Sequence, residues 1–420
     1  MSKFKIAIIS SVVVVILGII YFVISTDNVN NIIKEEKITL KIVTNRTDLV
    51  DTKLQDMAKE YENLNPNIEV VIEGVKQPDK VLKMRAAAGE SGDITIVPID
   101  ANKKSLASFY EPIDDLGFNY KNLIGYSLGL GNDNRLHAVN SGVGYAGIVY
   151  NKNSFKAAGI DKIPTTLGEF YETCEKLKTA GIIPFAINLS DEWPLQIYSD
   201  NFELPMETSN NINYSNDLVN KDLFDDDGGL YYSAKFLRSM KEKGYTEANF
   251  DESNWSSFKM KHAKGEIAMT FLESWYPEQL LELGAKKEDI GMFPFPDTNI
   301  IIINNEWRFG ISKDCKHLEE AKKLFKWLFY EGKYSEACSI NSAINEDKSR
   351  SWFLDELLSY NKPTLIGIPK TNETMEKFNN FQYALSSIFK EYIISDEPDK
   401  VIEKYNKLWR ETSTDIKSEK

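Results

Sequence analysis

Hydrophobic positions along this chain follow two alternating rhythms. Ile38 to Val43 alternates apolar and polar residues, as a half-buried strand does. Val50, Leu54, Met57, Ala58, Tyr61 and Leu64 then recur at helical spacing, and Asn65-Pro66 stops that helix. Ile68 to Ile72 predicts a second strand. Pro78 to Ala88 predicts a helix that starts on proline and ends at Gly89. Ile94 to Val97 is a short apolar run that suits a buried strand, and Ile148 to Tyr150 is strand-like again. Thr166-x-x-Glu169 forms a capping box. Behind it Leu167, Phe170, Cys174 and Leu177 line one helical face, which puts Cys174 in a core, and Gly181 ends the helix. A further helix is predicted from Leu318 to Tyr330, closed by Gly332. Residues 208–229, rich in Asn, Ser and Asp, read as a surface loop. Strands alternating with helices imply βαβ units, a largely parallel sheet and an α/β fold.

The amino-terminal rhythm is different. Lys3 and Lys5 precede an unbroken apolar run from Ile6 to Ile24. That is close to the ~20 residues that span a hydrocarbon core and longer than a typical secretory core of ~7–15. The exit Ile24-Ser25-Thr26-Asp27 lacks a small-x-small cleavage pattern, and no cysteine nearby accepts a lipid. The run is expected to be an uncleaved transmembrane anchor, with cleavage as a signal peptide the alternative. The lysines keep its amino end in the cytoplasm and the bulk outside the cell. Residues 25–37 form a polar stalk.

Length and charge narrow the rest. A chain of 420 residues suits two lobes. A net charge of −13 disfavours nucleic-acid binding, which needs clustered Lys and Arg. Three cysteines, Cys174, Cys315 and Cys338, cannot form a disulfide framework; a single Cys315–Cys338 bridge is the one pairing considered. His137, His262 and His317 are far apart, with no paired metal spacing, so neither metal nor cofactor is expected.

Motifs of catalysis are absent in context. Gly125-Tyr-Ser127-Leu-Gly129 matches a nucleophile elbow, but polar sequence rather than a strand precedes it. Gly129-x-Gly131 lacks the third glycine of a dinucleotide loop, and the Asp225-Asp-Asp-Gly-Gly turn lacks calcium-loop spacing. No two carboxylates stand out as a pair, so no enzyme is expected. Trp193-Pro194, Trp275-Tyr276-Pro277 and Trp307 lie in polar, loop-like contexts. Flat aromatic plates beside polar residues suit sugars, which present C–H faces ringed by hydroxyls.

Several segments, in order, resemble the extracellular solute-binding proteins of ABC importers, the family typified by maltose-binding protein. They are MAKEYENLNPNIEV, MRAAAGESGDITIV, GVGYAGIVYNKNSFKAAGI with LGEFYETCEKLKTAGIIPFAI, KGEIAMTFLESWYPEQL and GISKDCKHLEEAKKLFKWL. The resemblance implies the type II periplasmic-binding-protein fold: two interleaved α/β lobes with a ligand cleft between them. Lobe 1 would comprise 38–143 and 309–360, and lobe 2 would comprise 144–308 and 361–420, after the anchor and stalk of 1–37. Crossings are expected near Gly142–Tyr145, near Phe295–Trp307 and around 355–365, with Gly142 and Gly144 giving hinge freedom. It also implies ligand contacts from Trp275, Trp193, Asp100, Tyr145, Asn188, Arg46 and Asp48, and more weakly from Trp307 and Arg308; Tyr276, an aromatic beside Trp275, is a further ligand-binding candidate. The implied role is capture of a carbohydrate, such as an oligosaccharide, and delivery to a membrane permease by a monomer. The alternative is an anchored sensor presenting its ligand to a receptor kinase. Two departures stand out: Val97-Pro98 replaces the Trp that some members carry there, and the usual lipidated cysteine is missing.

Overall fold

The structure is a computed structural model. It describes residues 37–414, apart from 77, 100, 199–202, 226–227, 249–253, 345–351, 363 and 367–370. The expected anchor at 6–24 and the candidate Asp100 lie outside the described residues. Among the described residues no helix is long and apolar enough to cross a membrane.

The chain divides into two compact units. The first holds the chain up to Ile96 together with Ile311–Phe325. Its strands β1 (Ile38–Thr44), β2 (Ile68–Gly74) and β3 (Ile94–Ile96) are parallel, with β1 in the middle. The helix Lys53–Leu64 buries Leu54, Met57, Ala58 and Tyr61, the middle of the stripe its spacing predicted, while Val50 precedes the helix and Leu64 at its end is exposed. Glu73 on β2 pairs with Lys41 and Arg85 at 2.6 Å each. The Arg85 guanidinium, followed by Lys41, holds its carboxyl down at about 2 against the cost of partial burial. Ser312 donates its N–H to the carbonyl of Asp93 at 2.9 Å, bringing the second stretch of chain onto the first.

The helix predicted from Leu318 to Tyr330 is α-helical only to Phe325; Lys326–Tyr330 widens into a π turn. Trp327, Leu328 and Phe329 are all buried. Three successive buried side chains cannot share one face of a 3.6-residue helix, and the wider turn accommodates them.

The second unit comprises Val97–Gly310 and Lys326–Lys420. Its main sheet runs β11 (Thr364–Ile366), β9 (Ile301–Asn305), β5 (Val143–Asn151), β7 (Ile267–Glu273), β6 (Ile183–Phe185), and β8 (Ile290–Phe293) also pairs with β5. Strand β5 is antiparallel to β7, β8 and β9. The expected parallel sheet therefore holds in the first unit and fails around β5. Residues 148–150 pair with β7 on one edge and β8 on the other, and all three are buried because Ile148 and Tyr150 pack into one core cluster and Val149 into another. Strands β4 (Val139–Asn140) and β10 (Arg308–Ile311) form a short antiparallel pair.

The core of this unit is aromatic. Phe170 lies 5.6 Å from Phe185 and 6.0 Å from Phe236, and Phe271 lies 5.5 Å from Phe295, mostly edge to face. Phe170 and Cys174 come from the helix Leu167–Thr179, whose capping box forms as expected. Asp297 adds a 2.7 Å bond from the N–H of Leu167. All three cysteines are free, so the Cys315–Cys338 bridge is not formed.

The stretch 208–229 is not the surface loop that its composition suggested. Tyr214, Leu218, Leu223 and Phe224 are buried, with short helical turns at Tyr214–Asp217 and Leu218–Asn220. The polar residues serve the backbone: Asn211 accepts from the N–H of Asn213 at 3.0 Å. Asn406 holds both the N–H and the carbonyl of Phe224 at 2.8 and 2.9 Å. Trp409 donates its indole N–H to Leu218 at 2.9 Å.

Candidate functional site

Three tryptophans from three separate segments of the second unit converge. Trp193 opens the short helical stretch Trp193–Tyr198, Trp255 opens the helix Trp255–Ala263, and Trp275 precedes the helix Tyr276–Glu282. Ring centroids are 4.6 Å apart for Trp193 and Trp255, 6.0 Å for Trp193 and Trp275, and 6.2 Å for Trp255 and Trp275. Trp193 is 36% exposed, so part of its ring surface is open to solvent.

Local sequence explains how each ring is held. Asn254 caps the helix of Trp255 by accepting from Ser257 at 3.0 Å, and the Asp191 carboxylate accepts the N–H of Trp255. Asp191 also accepts the N–H of Trp193 through its backbone carbonyl at 2.6 Å, so one residue fixes two of the rings. Beneath them Phe258 stacks on Trp255 at 5.2 Å and on Tyr276 at 5.7 Å.

The Trp275 loop is tied to neighbouring strands. Trp275 donates its indole N–H to Glu273 Oε2 at 3.0 Å, and Asn304 of β9 donates to Glu273 Oε1 at 2.8 Å. Ser274 Oγ accepts from the N–H of Tyr145 at 2.9 Å and from Asn341 Nδ2 at 3.1 Å. Nearby on β4 and β9, Asn140 donates to Asn305 at 2.8 Å. Donors and acceptors thus line the strands that run past an aromatic platform, with no nucleophile–base pair among the contacts described. Among the described residues no cluster of three or more His, Cys, Asp or Glu suits a metal ion.

The family model for bacterial extracellular solute-binding proteins matches residues 47–332, well over half of the chain. The chain belongs to that family. This binding protein is 26% identical over 310 residues to the multiple sugar-binding protein of Streptococcus mutans, covering 70% of this chain and 72% of the relative. It is also 26% identical to an uncharacterised ABC transporter extracellular-binding protein of Pyrococcus horikoshii, over 66% of this chain and 63% of that one. Among solved structures it resembles a mannobiose-bound ABC transporter binding protein of Bifidobacterium animalis subsp. lactis. The TM-score is 0.77 at 21% identity, over 89% of this chain and 94% of the other. A stachyose-bound sugar transporter protein of Bacillus licheniformis aligns with TM-score 0.68 at 20% identity, over 88% and 100%. These likenesses show that the binding protein has their fold.

Of the residues singled out from the sequence, the structure brings Trp193 and Trp275 together. Tyr145, on β5, is half-buried and bonded to the Trp275 loop. Asn188 is buried, with φ of 47°, and accepts from the N–H of Asp191 at 3.4 Å; it shapes the turn leading to Trp193. Tyr276 is a correction. Its side chain is fully buried, and its hydroxyl lies 3.0 Å from His262 Nδ1, so the ring is part of the floor. Burial holds His262 down at about 3, outweighing a backbone contact at Ala268, and pushes the Tyr276 hydroxyl well up.

Arg308 is bonded to backbone. Its guanidinium donates to the carbonyls of Leu128 at 2.7 Å, Pro98 at 3.3 Å, Ile99 at 3.2 Å and Ala101 at 3.2 Å. It is a clamp on the 98–101 loop, engaged with backbone. Trp307 is half-buried, with its carbonyl accepting from Ser141 at 2.9 Å. Arg46 and Asp48 belong to the first unit and pair with each other at 2.8 Å. Trp255, Glu273, Ser274, Asn304 and Asn341 escaped the sequence reading. The Asn254-Trp255 start of a capped helix was the one signal available for Trp255; the others depend on strand pairing that no local pattern encodes.

Proposed function

We propose that this protein is the extracellular substrate-capturing subunit of an ABC importer, and that its ligand is a carbohydrate held against Trp193 and Trp275. The observation that carries the reading is the exposed edge of the three-tryptophan platform, set beside a row of amides and a carboxylate. Aromatic faces stack on sugar C–H faces, while amides and carboxylates meet hydroxyls. The relatives whose names mention sugars support the same reading, and transport names favour a permease over a receptor kinase as partner.

In this reading the lobes are 38–143 with 309–360 and 144–308 with 361–420. Asp100, Arg46 and Asp48 supply contacts from the first lobe. We infer that ligand capture favours one conformational state, which the permease reads. The apolar segment 6–24 keeps the monomer at the outer membrane face.

The test is a thermal-shift and Trp-fluorescence screen of the full chain against neutral mono- and oligosaccharides. A ligand that binds only the folded state adds about 2.7 kcal/mol of stability at 100 times its dissociation constant. A saturable shift with one sugar, lost in Trp275→Ala, is the expected result. No shift with any sugar refutes the carbohydrate reading.

A further inference from the structure

The last residue of β7 is a carboxylate that no motif pointed to. Glu273 accepts the Trp275 indole N–H on one oxygen at 3.0 Å and the Asn304 amide on the other at 2.8 Å. It sits in space left open by Gly144: a Cβ built there would lie 2.6 Å from Glu273 Oε2 and 3.3 Å from its carboxyl carbon. Gly144 is not among the glycines with positive φ, so its backbone does not require glycine. The requirement is room for the carboxylate. Gly144 thus gives a seat to an acidic side chain.

We propose that Glu273 is a specificity-determining residue of this site. It orients the Trp275 ring through the indole N–H, and its charge restricts the site to uncharged polyhydroxy ligands. The inference rests on the reading of the tryptophan platform as the ligand surface. With its N–H engaged, Trp275 presents its face. A ligand stacked on that face lies on the order of 6 Å from the carboxylate, where like charges disfavour binding by about tenfold or more in a partly solvated site. Neutral hydroxyls suffer no such repulsion.

The experiment compares wild type, Glu273→Gln, Glu273→Ala, Gly144→Ala and the Glu273→Ala/Gly144→Ala double variant in the full chain. The first readout is the indole N–H resonance of Trp275 in ¹⁵N-Trp-labelled protein, assigned by its loss in Trp275→Phe. The second is the dissociation constant for neutral oligosaccharides and for uronic-acid oligosaccharides of equal length. Glu273→Gln, which keeps an acceptor, is expected to hold neutral affinity within about tenfold and to narrow discrimination against the uronate by about tenfold. Gly144→Ala is expected to move the indole resonance as Glu273→Ala does, with the double variant no worse than either single. Unchanged discrimination in Glu273→Gln, or an unmoved resonance in Gly144→Ala, overturns the proposal. If the resonance moves as expected while no neutral sugar binds wild type, the carbohydrate reading fails and the positioning role of Glu273 stands.

Discussion

Replacing Arg308 by alanine releases the 98–101 loop. Four carbonyls accept from this guanidinium, but they are not equal. Leu128 takes a short, separate bond from Nη1 at 2.7 Å, while Pro98, Ile99 and Ala101 share Nη2 at 3.2–3.3 Å. One nitrogen with two hydrogens cannot make three linear bonds, so the loop side counts as about one good interaction. Bonds to a charged donor contribute roughly 1.5–3 kcal/mol each, and the half-buried site lets water replace part of that. The expected loss is about 2–3 kcal/mol, a melting temperature lower by roughly 4 °C. Arg308→Lys supplies a point charge in place of a fork and is expected to recover about half, through Leu128 alone. Differential scanning calorimetry of both variants gives the values. A melting temperature for Arg308→Ala within about a degree of wild type would refute the clamp, because the carbonyls would then be satisfied without it.

Three other outcomes follow from the geometry. Tyr276→Phe removes a hydroxyl bonded to His262 inside the core; chemical denaturation is expected to show a loss of about 1–2 kcal/mol, with ligand affinity unchanged. Thr166→Ala breaks the capping box of the helix Leu167–Thr179 and is expected to cost about 1 kcal/mol in the same assay. His262 is neutral in the fold, held down at about 3, yet titrates near 6.5 once unfolded. The unfolded chain therefore binds the extra proton first. Stability is full above about pH 6.5 and falls as pH drops toward 3, by up to about 1.4 kcal/mol per unit, a slope that His262→Gln is expected to flatten in unfolding curves between pH 7 and pH 4.5.

Local pattern carried the first unit well. Its parallel strands and the Leu54, Met57, Ala58, Tyr61 stripe are where apolar runs and helical spacing put them, because local burial matches local pattern there. The same logic misjudged 208–229, where Asn and Asp side chains satisfy backbone groups and thereby let Leu218 and Phe224 go inside. It also missed the direction of β5, which is decided by distant partners. At the site, two tryptophans were legible as aromatics in polar surroundings. Trp255 was hidden in a helix, and Glu273 was one acid among many until pairing across β5 and β9 set it beside Gly144 and Asn304. For Tyr276 and Arg308, residue type suggested recognition and gave no hint of the partners found, the core and the backbone.

The first unit takes its sequence from two stretches separated by Val97–Gly310. Its strands leave the ribosome early, yet the carbonyl of Asp93 waits for Ser312, and the helix Leu318–Phe325 arrives later still. Assembly of this unit must close a very long loop, a route in which non-local contacts slow folding. A protease that nicks the intervening stretch would sever the chain without releasing a complete amino-terminal domain, since the fragment would leave behind the segment that finishes it.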